Sequence, residues 1–214
     1  MVANHAHDRI ALFGGSFDPP HCGHLAIAQA AADTFRLDLV LFSPTGRQPL
    51  KHDHASASFN DRFTMVRLAC EDDPRFAASD IDAPHPDGSP NYTVDALEEL
   101  RRRSPSAELF AISGADSFLT LNQWHEPDRL LELADWIVVS RPGSSLQDLA
   151  PLHLSSAQQA KVHFLTTVHE DISSTALRKR LGAGEDCTGL MPPPVAGYIT
   201  RYGLYRHQPA TAAN

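Results

Sequence analysis

Ile10-Ala11-Leu12-Phe13-Gly14-Gly15-Ser16-Phe17-Asp18-Pro19-Pro20-His21-Cys22-Gly23-His24 is the stretch that decides the fold. It begins as a short apolar run, Ile10–Phe13, bounded by turn residues, which reads as a buried strand. It ends at the head of an Ala-rich segment with helical spacing, His24–Phe35. A strand that passes through a glycine-containing turn straight into a helix is the opening unit of a doubly wound sheet. Ligands of such sheets bind at the carboxyl ends of the strands. The turn from Gly14 to His24 is therefore the expected ligand site.

The same alternation continues outward. Leu37–Phe42, Leu109–Ser113, Trp136–Val139 and Val162–Thr166 read as further buried parallel strands, and Phe76–Ile81, more polar, as an edge strand. Helical spacing is expected over Phe59–Cys70, Thr93–Arg102, Ser173–Leu181 and Val195–Tyr202, with Pro192–Pro194 suited to a helix start. The expected architecture is α/β, a Rossmann-like doubly wound and mainly parallel sheet flanked by helices. It occupies a single domain over residues 9–206, with flexible tails at 1–8 and 207–214. Gly46–Ser58 and Pro84–Asn91 are long polar loops, of the kind that often bind ligands.

Composition excludes several classes. The 214 residues carry 18 Lys and Arg against 26 Asp and Glu, a net charge of −8 that argues against a nucleic-acid partner. No apolar run approaches the roughly 20 residues that a membrane helix needs. The polar start of the chain lacks the apolar core of a signal peptide, so the expected location is the cytoplasm. Three scattered cysteines, Cys22, Cys70 and Cys187, argue against a disulfide framework or thiolate metal site. The sequence leaves room for a homo-oligomer.

Two segments carry the chemistry. In the first, Gly14 and Gly15 let a backbone approach a ligand closely, and the helix start offers unpaired N–H groups and a positive dipole end to phosphate. His21 and His24, three residues apart, share one face there and can donate hydrogen bonds to phosphate oxygens as charge builds. Taken alone, a His-x-x-His pair is equally a helix start or a metal site. The second segment is Asp171-Ile172-Ser173-Ser174-Thr175-Ala176-Leu177-Arg178. Its hydroxyls suit a helix cap, and Arg178, one turn in, can reach the same anion.

The pattern G-x-F-D-P-x-H-x-G-H from Gly15 to His24, seven fixed residues in ten, resembles the signature of the nucleotidyltransferase superfamily related to class I aminoacyl-tRNA synthetases. The Ile172–Arg178 segment resembles its second signature, which contacts the ATP triphosphate. Further segments make the chain similar to bacterial nicotinate-nucleotide adenylyltransferases from about Ile10 to Arg206. They are Asn91-Tyr92-Thr93, Gly114-Ala115-Asp116-Ser117 followed by Trp124, Ser140-Arg141-Pro142-Gly143, and Leu190-Met191-Pro192 through Gly203-Leu204-Tyr205. One loop departs from the family pattern. Pro44-Thr45-Gly46-Arg47-Gln48-Pro49-Leu50-Lys51 keeps a basic residue at Lys51 but has Leu50 where the family has His, so that histidine's contacts are not carried over.

The resemblance implies transfer of AMP from ATP to nicotinate mononucleotide, with release of pyrophosphate, in NAD biosynthesis. ATP would meet Gly14, Gly15, Ser16, Phe17, His21, His24, Gly114, Asp116, Ile172, Ser173, Ser174, Thr175 and Arg178. The mononucleotide would meet Asp18, Lys51, Thr93, Trp124, His125 and Arg141. Thr93 and His125 would offer backbone groups to the nicotinate carboxylate, with Trp124 stacked on the ring. His21, His24, Arg178 and Lys51 are the expected catalytic residues, with Lys51 a mobile cation. Asp18 is expected to hold the loop or the surroundings of the mononucleotide phosphate. Mg²⁺ would arrive with ATP, held mainly by phosphates and water. Rival readings are a phosphopantetheine or cytidylyl transferase of the same superfamily, use of nicotinamide mononucleotide, a non-catalytic nucleotide sensor and a His-based metallohydrolase.

Overall fold

The computed structural model describes residues 8–47, 57–140, 146–166 and 172–206. Six strands form one sheet: β1 (Arg9–Gly15), β2 (Leu39–Pro44), β3 (Phe76–Ala78), β4 (Glu108–Gly114), β5 (Asp135–Val139) and β6 (Val162–Leu165). Their order is β3-β2-β1-β4-β5-β6, and every neighbouring pair runs parallel. The chain reverses its direction of winding between β1 and β4. A crevice opens at such a switch point, beyond the carboxyl ends of the strands.

The period of two along each strand accounts for both faces being covered. Ile10 and Leu12 point into one apolar cluster, and Ala11 and Phe13 into the other. In β4, Leu109 and Ala111 join the first cluster and Phe110 and Ile112 the second. A strand buried on both sides cannot show polar alternation, so it reads as a continuous apolar run.

The helices are α1 (Cys22–Phe35), α2 (Phe59–Ala69), α3 (Thr93–Arg103), α4 (Ala115–Phe118), α5 (Pro127–Leu133), α6 (Ser156–Gln159), α7 (Ser174–Gly182) and α8 (Pro193–Tyr202), with 3-10 turns at Leu121–Gln123 and Leu146–Leu152. In α1, Ala28, Ala31 and Ala32 are buried, and their small side chains let the helix lie close to the sheet. In α3, Val94, Leu97 and Leu100 face the core while Arg101, Arg102 and Arg103 occupy the last turn, where cations complement the helix dipole. A third cluster joins α2, α7 and α8 through Met65, Leu177, Val195 and Ile199. No helix among the described residues is long and apolar enough to cross a membrane.

Most expected elements are present, with shifted ends. The strand expected over Leu37–Phe42 starts at Leu39 and runs to Pro44. The edge strand expected over Phe76–Ile81 stops at Ala78, because Asp80 to Ala83 closes a turn, the Ala83 N–H donating to the Asp80 carbonyl at 2.9 Å. It does lie at the sheet edge. The five segments α4, α5, α6 and the two 3-10 turns were not expected as helices, since each is too short to show a periodic face.

Candidate active site

The β1–α1 loop is the centre of the site, and its shape follows from Phe17. This residue is fully buried yet has φ of 46°, in the left-handed region. A non-glycine residue there is strained, and such strain concentrates at functional sites. Its ring is fixed by Phe13, Phe42 and His24, with centroids 5.5, 5.7 and 4.9 Å away. A Cβ on Gly15 would come within 3.3 Å of that ring, whereas Gly14 faces open space. The glycines therefore keep the end of β1 accessible from the crevice.

His21 caps α1 in extended conformation, and its backbone N–H donates to His24 Nδ1 at 3.2 Å. The two rings stack, with centroids 3.7 Å apart and planes at 30°. His24 Nδ1 is thereby an acceptor, which leaves the proton of its neutral ring on Nε2. His21 Nδ1 is buried and finds no partner among the described residues. Burial pushes the His21 imidazole down to about 4. Burial, and then the neighbouring His21, hold His24 well below its ordinary value. Both are neutral near pH 7.

The second signature meets this loop from α7. Ser173 caps the helix, accepting from the Ala176 N–H at 3.2 Å. Ser174 Oγ donates to the Pro19 carbonyl at 2.9 Å. Arg178 donates from Nη1 to the Asp18 carbonyl at 2.9 Å and from Nη2 to Thr175 Oγ1 at 3.3 Å. Its side chain keeps 30% exposure, so guanidinium donors still face solvent. Ile172 packs against the third cluster. Asp18 is 2% exposed, and its Oδ1 accepts from the Ala57 N–H at 3.1 Å and the Tyr205 hydroxyl at 2.7 Å.

A cavity lies beside the loop at the switch point. Gly14, Gly15, Thr45, Asp82, Thr93 and Trp124 are among its lining residues. Thr93 is the first residue of α3, where helix N–H groups have no partner within the helix. Trp124 is half-buried, its ring edge-on to Trp136 at 5.6 Å and its Nε1 donating to Thr120 Oγ1 at 3.1 Å. Trp124 is thus held by Trp136 and Thr120 while it lines the cavity. The structure brings Thr93 and Trp124 together with the glycines of the first motif. Gly114 and Asp116 stand exposed at the next strand end, at the cap and in the first turn of α4. The His125 ring stacks on Tyr92 at 4.3 Å and stands half exposed. Lys51 and Arg141, along with Leu50, fall outside the described residues. Arg47, a second loop cation, donates to the Gly88 carbonyl.

Three site residues escaped the sequence reading. Arg62, 3% exposed, donates to the Ser16 carbonyl at 2.8 Å and the Thr45 carbonyl at 2.9 Å, binding the ends of two strand loops together. A signal did exist, since Arg62, Met65, Val66 and Ala69 form the buried stripe of α2, and a charge on such a stripe demands partners. Tyr205 reaches Asp18. Asp82 accepts a hydrogen bond from Thr45, and burial pushes its carboxyl up to about 6. Among the described residues no group of three or more His, Cys, Asp or Glu could hold a metal ion.

Known proteins resemble the chain over most of its length. A family model described as cytidylyltransferase-like matches residues 12–180. The chain is 42% identical over 201 residues to a Neisseria meningitidis protein described as "Probable nicotinate-nucleotide adenylyltransferase", covering 92% of this chain and 98% of that one. A Thermus thermophilus protein of the same description is 42% identical over 198 residues, covering 92% and 100%. Among solved structures, Plasmodium falciparum nicotinic acid mononucleotide adenylyltransferase complexed with NaAD matches with a TM-score of 0.71 at 18% identity, covering 93% and 98%. At that identity the likeness is one of fold.

Proposed function

The chain belongs to the cytidylyltransferase-like family and, within it, to the nicotinate-nucleotide adenylyltransferases, and from that premise we propose that it transfers the AMP part of ATP to nicotinate mononucleotide. The products are nicotinate adenine dinucleotide and pyrophosphate, and the reaction is a step of NAD biosynthesis. The observation that carries the reading is a cavity at the switch point lined by Trp124, by Thr93 at the start of α3, and by Gly14 and Gly15 of the same loop that ends in the two neutral stacked imidazoles.

A phosphate oxygen of the mononucleotide attacks the α-phosphorus of ATP in line, and pyrophosphate leaves. The nucleophile is already anionic, so no general base is needed, and catalysis rests on position and charge. His24 Nε2–H and His21 donate to phosphate oxygens as negative charge grows. Being neutral, they do so without costing a buried charge in the empty enzyme. Gly14, Gly15, Ser16 and Phe17 supply the backbone floor. Ile172, Ser173, Ser174 and Thr175 form the α7 cradle, and Arg178 meets the β- and γ-phosphates. Gly114 and Asp116 meet the nucleoside part of ATP. Thr93 and His125 offer backbone groups to the ring carboxylate, Trp124 stacks on the ring, and Lys51 and Arg141 add cations. The buried, fully engaged Asp18 serves by holding the loop.

Magnesium would come with ATP, held by phosphates and water, since among the described residues no group of three or more His, Cys, Asp or Glu could cage it. The chemistry it would supply is neutralisation of charge on the triphosphate and on the departing pyrophosphate. Residues 9–206 act as one catalytic domain, in a cytoplasmic setting where both nucleotides are at hand. Incubation with ATP, Mg²⁺ and nicotinate mononucleotide, followed by mass spectrometry, tests the reading. Nicotinate adenine dinucleotide is the expected product, and its absence under turnover conditions contradicts the assignment.

A further inference from the structure

Asp18 is shared between two residues from the far end of the chain. Its Oδ1 is 2.7 Å from the Tyr205 hydroxyl, which donates to it, and 3.1 Å from the Ala57 N–H. Its Oδ2 is 3.8 Å from Arg178 Nη1, a loose ion pair, while the same Nη1 donates to the Asp18 carbonyl at 2.9 Å. The pairing is loose although the carboxylate is 2% exposed, where a close charge pair would be strongly favoured once formed.

The chain end is built to reach this point. Helix α8 stops at Gly203, whose φ of 64° is left-handed, and the Leu204 N–H returns to the Ile199 carbonyl at 3.1 Å. Tyr205 follows with φ of 66°, and this turn aims its phenol back under the β1–α1 loop. Burial and the facing carboxylate drive the phenol far above its ordinary range, so it is a constant donor. Arg62 faces the same group electrostatically; its Nη1 and Nη2 donate to the Ser16 and Thr45 carbonyls, and its Nε has no partner among the described residues.

We propose that Tyr205 is a positioning residue for Arg178: by occupying Asp18 Oδ1 it keeps the carboxylate from closing onto the guanidinium, and so leaves Arg178 available to the β- and γ-phosphates of ATP. This rests on the adenylyltransferase reading for the identity of the anion. Without the phenol hydroxyl, the carboxylate turns towards Arg178 and competes with the triphosphate. Mononucleotide binding, on the Trp124 side of the loop, is spared.

The test compares wild type with Tyr205→Phe by steady-state kinetics and by calorimetric binding of α,β-methylene-ATP. Expected is a rise of about tenfold in KM for ATP and in Kd for the analogue, with KM for nicotinate mononucleotide unchanged. In an Arg178→Ala background the same substitution has no further effect on analogue binding. Equal losses for both substrates, no change, or an undiminished effect without Arg178 overturns the proposal. If Tyr205→Phe does not fold, Asp18→Asn decides: with no carboxylate left for Tyr205 to hold off, the analogue binds at least as tightly as to wild type, and weaker binding counts against the proposal. Failure of wild type to turn over nicotinate mononucleotide while it binds the analogue counts against the functional reading instead.

Discussion

His21 and His24 stack at 3.7 Å with the His21 backbone N–H bonded to His24 Nδ1, so the second ring is oriented by the first residue's main chain. That bond fixes which nitrogen of His24 carries the proton. A side chain held in this way is worth most in the transition state, where the charge it meets is largest. His24→Ala is expected to lower kcat by roughly 10²–10³, with a small change in KM for the mononucleotide. Steady-state kinetics check this, and a near-normal kcat removes His24 from the chemistry.

The same pair makes stability depend on pH. His21 falls from 6.5 to about 4 in the folded protein, so the unfolded chain takes up the proton first as pH drops. The contribution is complete above about pH 6.5 and is lost as pH falls towards 4, amounting to about 3 kcal/mol for His21 alone. His24 acts in the same direction. Urea unfolding at pH 7.5 and pH 5 should show a shallower decline for His21→Gln than for wild type. Parallel declines contradict the assignment.

Asp82 has the opposite sign. Its carboxyl is raised from 3.8 to about 6, first by burial, so the folded state holds the proton longer. Its favourable contribution is present below about pH 4 and lost as pH rises through 6. Asp82→Asn should therefore stabilise the protein at pH 7.5, by up to about 3 kcal/mol, and have little effect at pH 4. Chemical denaturation at the two pH values distinguishes this from a uniform effect of the substitution.

Gly46 sits where the β2 loop crosses the 82–91 segment. A Cβ there would fall 2.5 Å from the Pro84 nitrogen and 2.6 Å from Asn91 Oδ1. Asn91 is itself a clamp, accepting from the Arg47 N–H at 2.8 Å and donating to the Ala83 carbonyl at 2.8 Å. Gly46→Ala is expected to cost about 1–3 kcal/mol and to raise KM for the mononucleotide, because Asn91 leads into Thr93. Thermal unfolding and kinetics together check both effects.

How much of this was legible in the sequence depends on distance along the chain. The β1–α1 loop was legible because strand, glycines, imidazoles and helix lie within fifteen consecutive residues. Thr93 and Trp124 were legible through family resemblance, and the cavity unites them. Helix α5 was not, since Leu130, Leu131 and Leu133 span too little chain to show a helical period. Tyr205 and Arg62 were not, because their roles exist only as contacts across 187 and 46 residues, and local pattern carries no trace of such pairing. The edge strand β3 is shorter than the Phe76–Ile81 run because the backbone leaves the sheet for a turn at Asp80–Ala83, a contact that the residue types of the run do not show.

The central claim is that the cavity beside the β1–α1 loop selects nicotinate mononucleotide as the acceptor of AMP. Pyrophosphate release with ATP and Mg²⁺, measured in parallel with nicotinate mononucleotide, nicotinamide mononucleotide and phosphopantetheine, tests it most directly. The account predicts the highest kcat/KM with nicotinate mononucleotide and none with phosphopantetheine. Turnover of phosphopantetheine in preference to both mononucleotides would contradict it, keeping the phosphate chemistry of His21, His24 and Arg178 but overturning the Thr93 and Trp124 pocket.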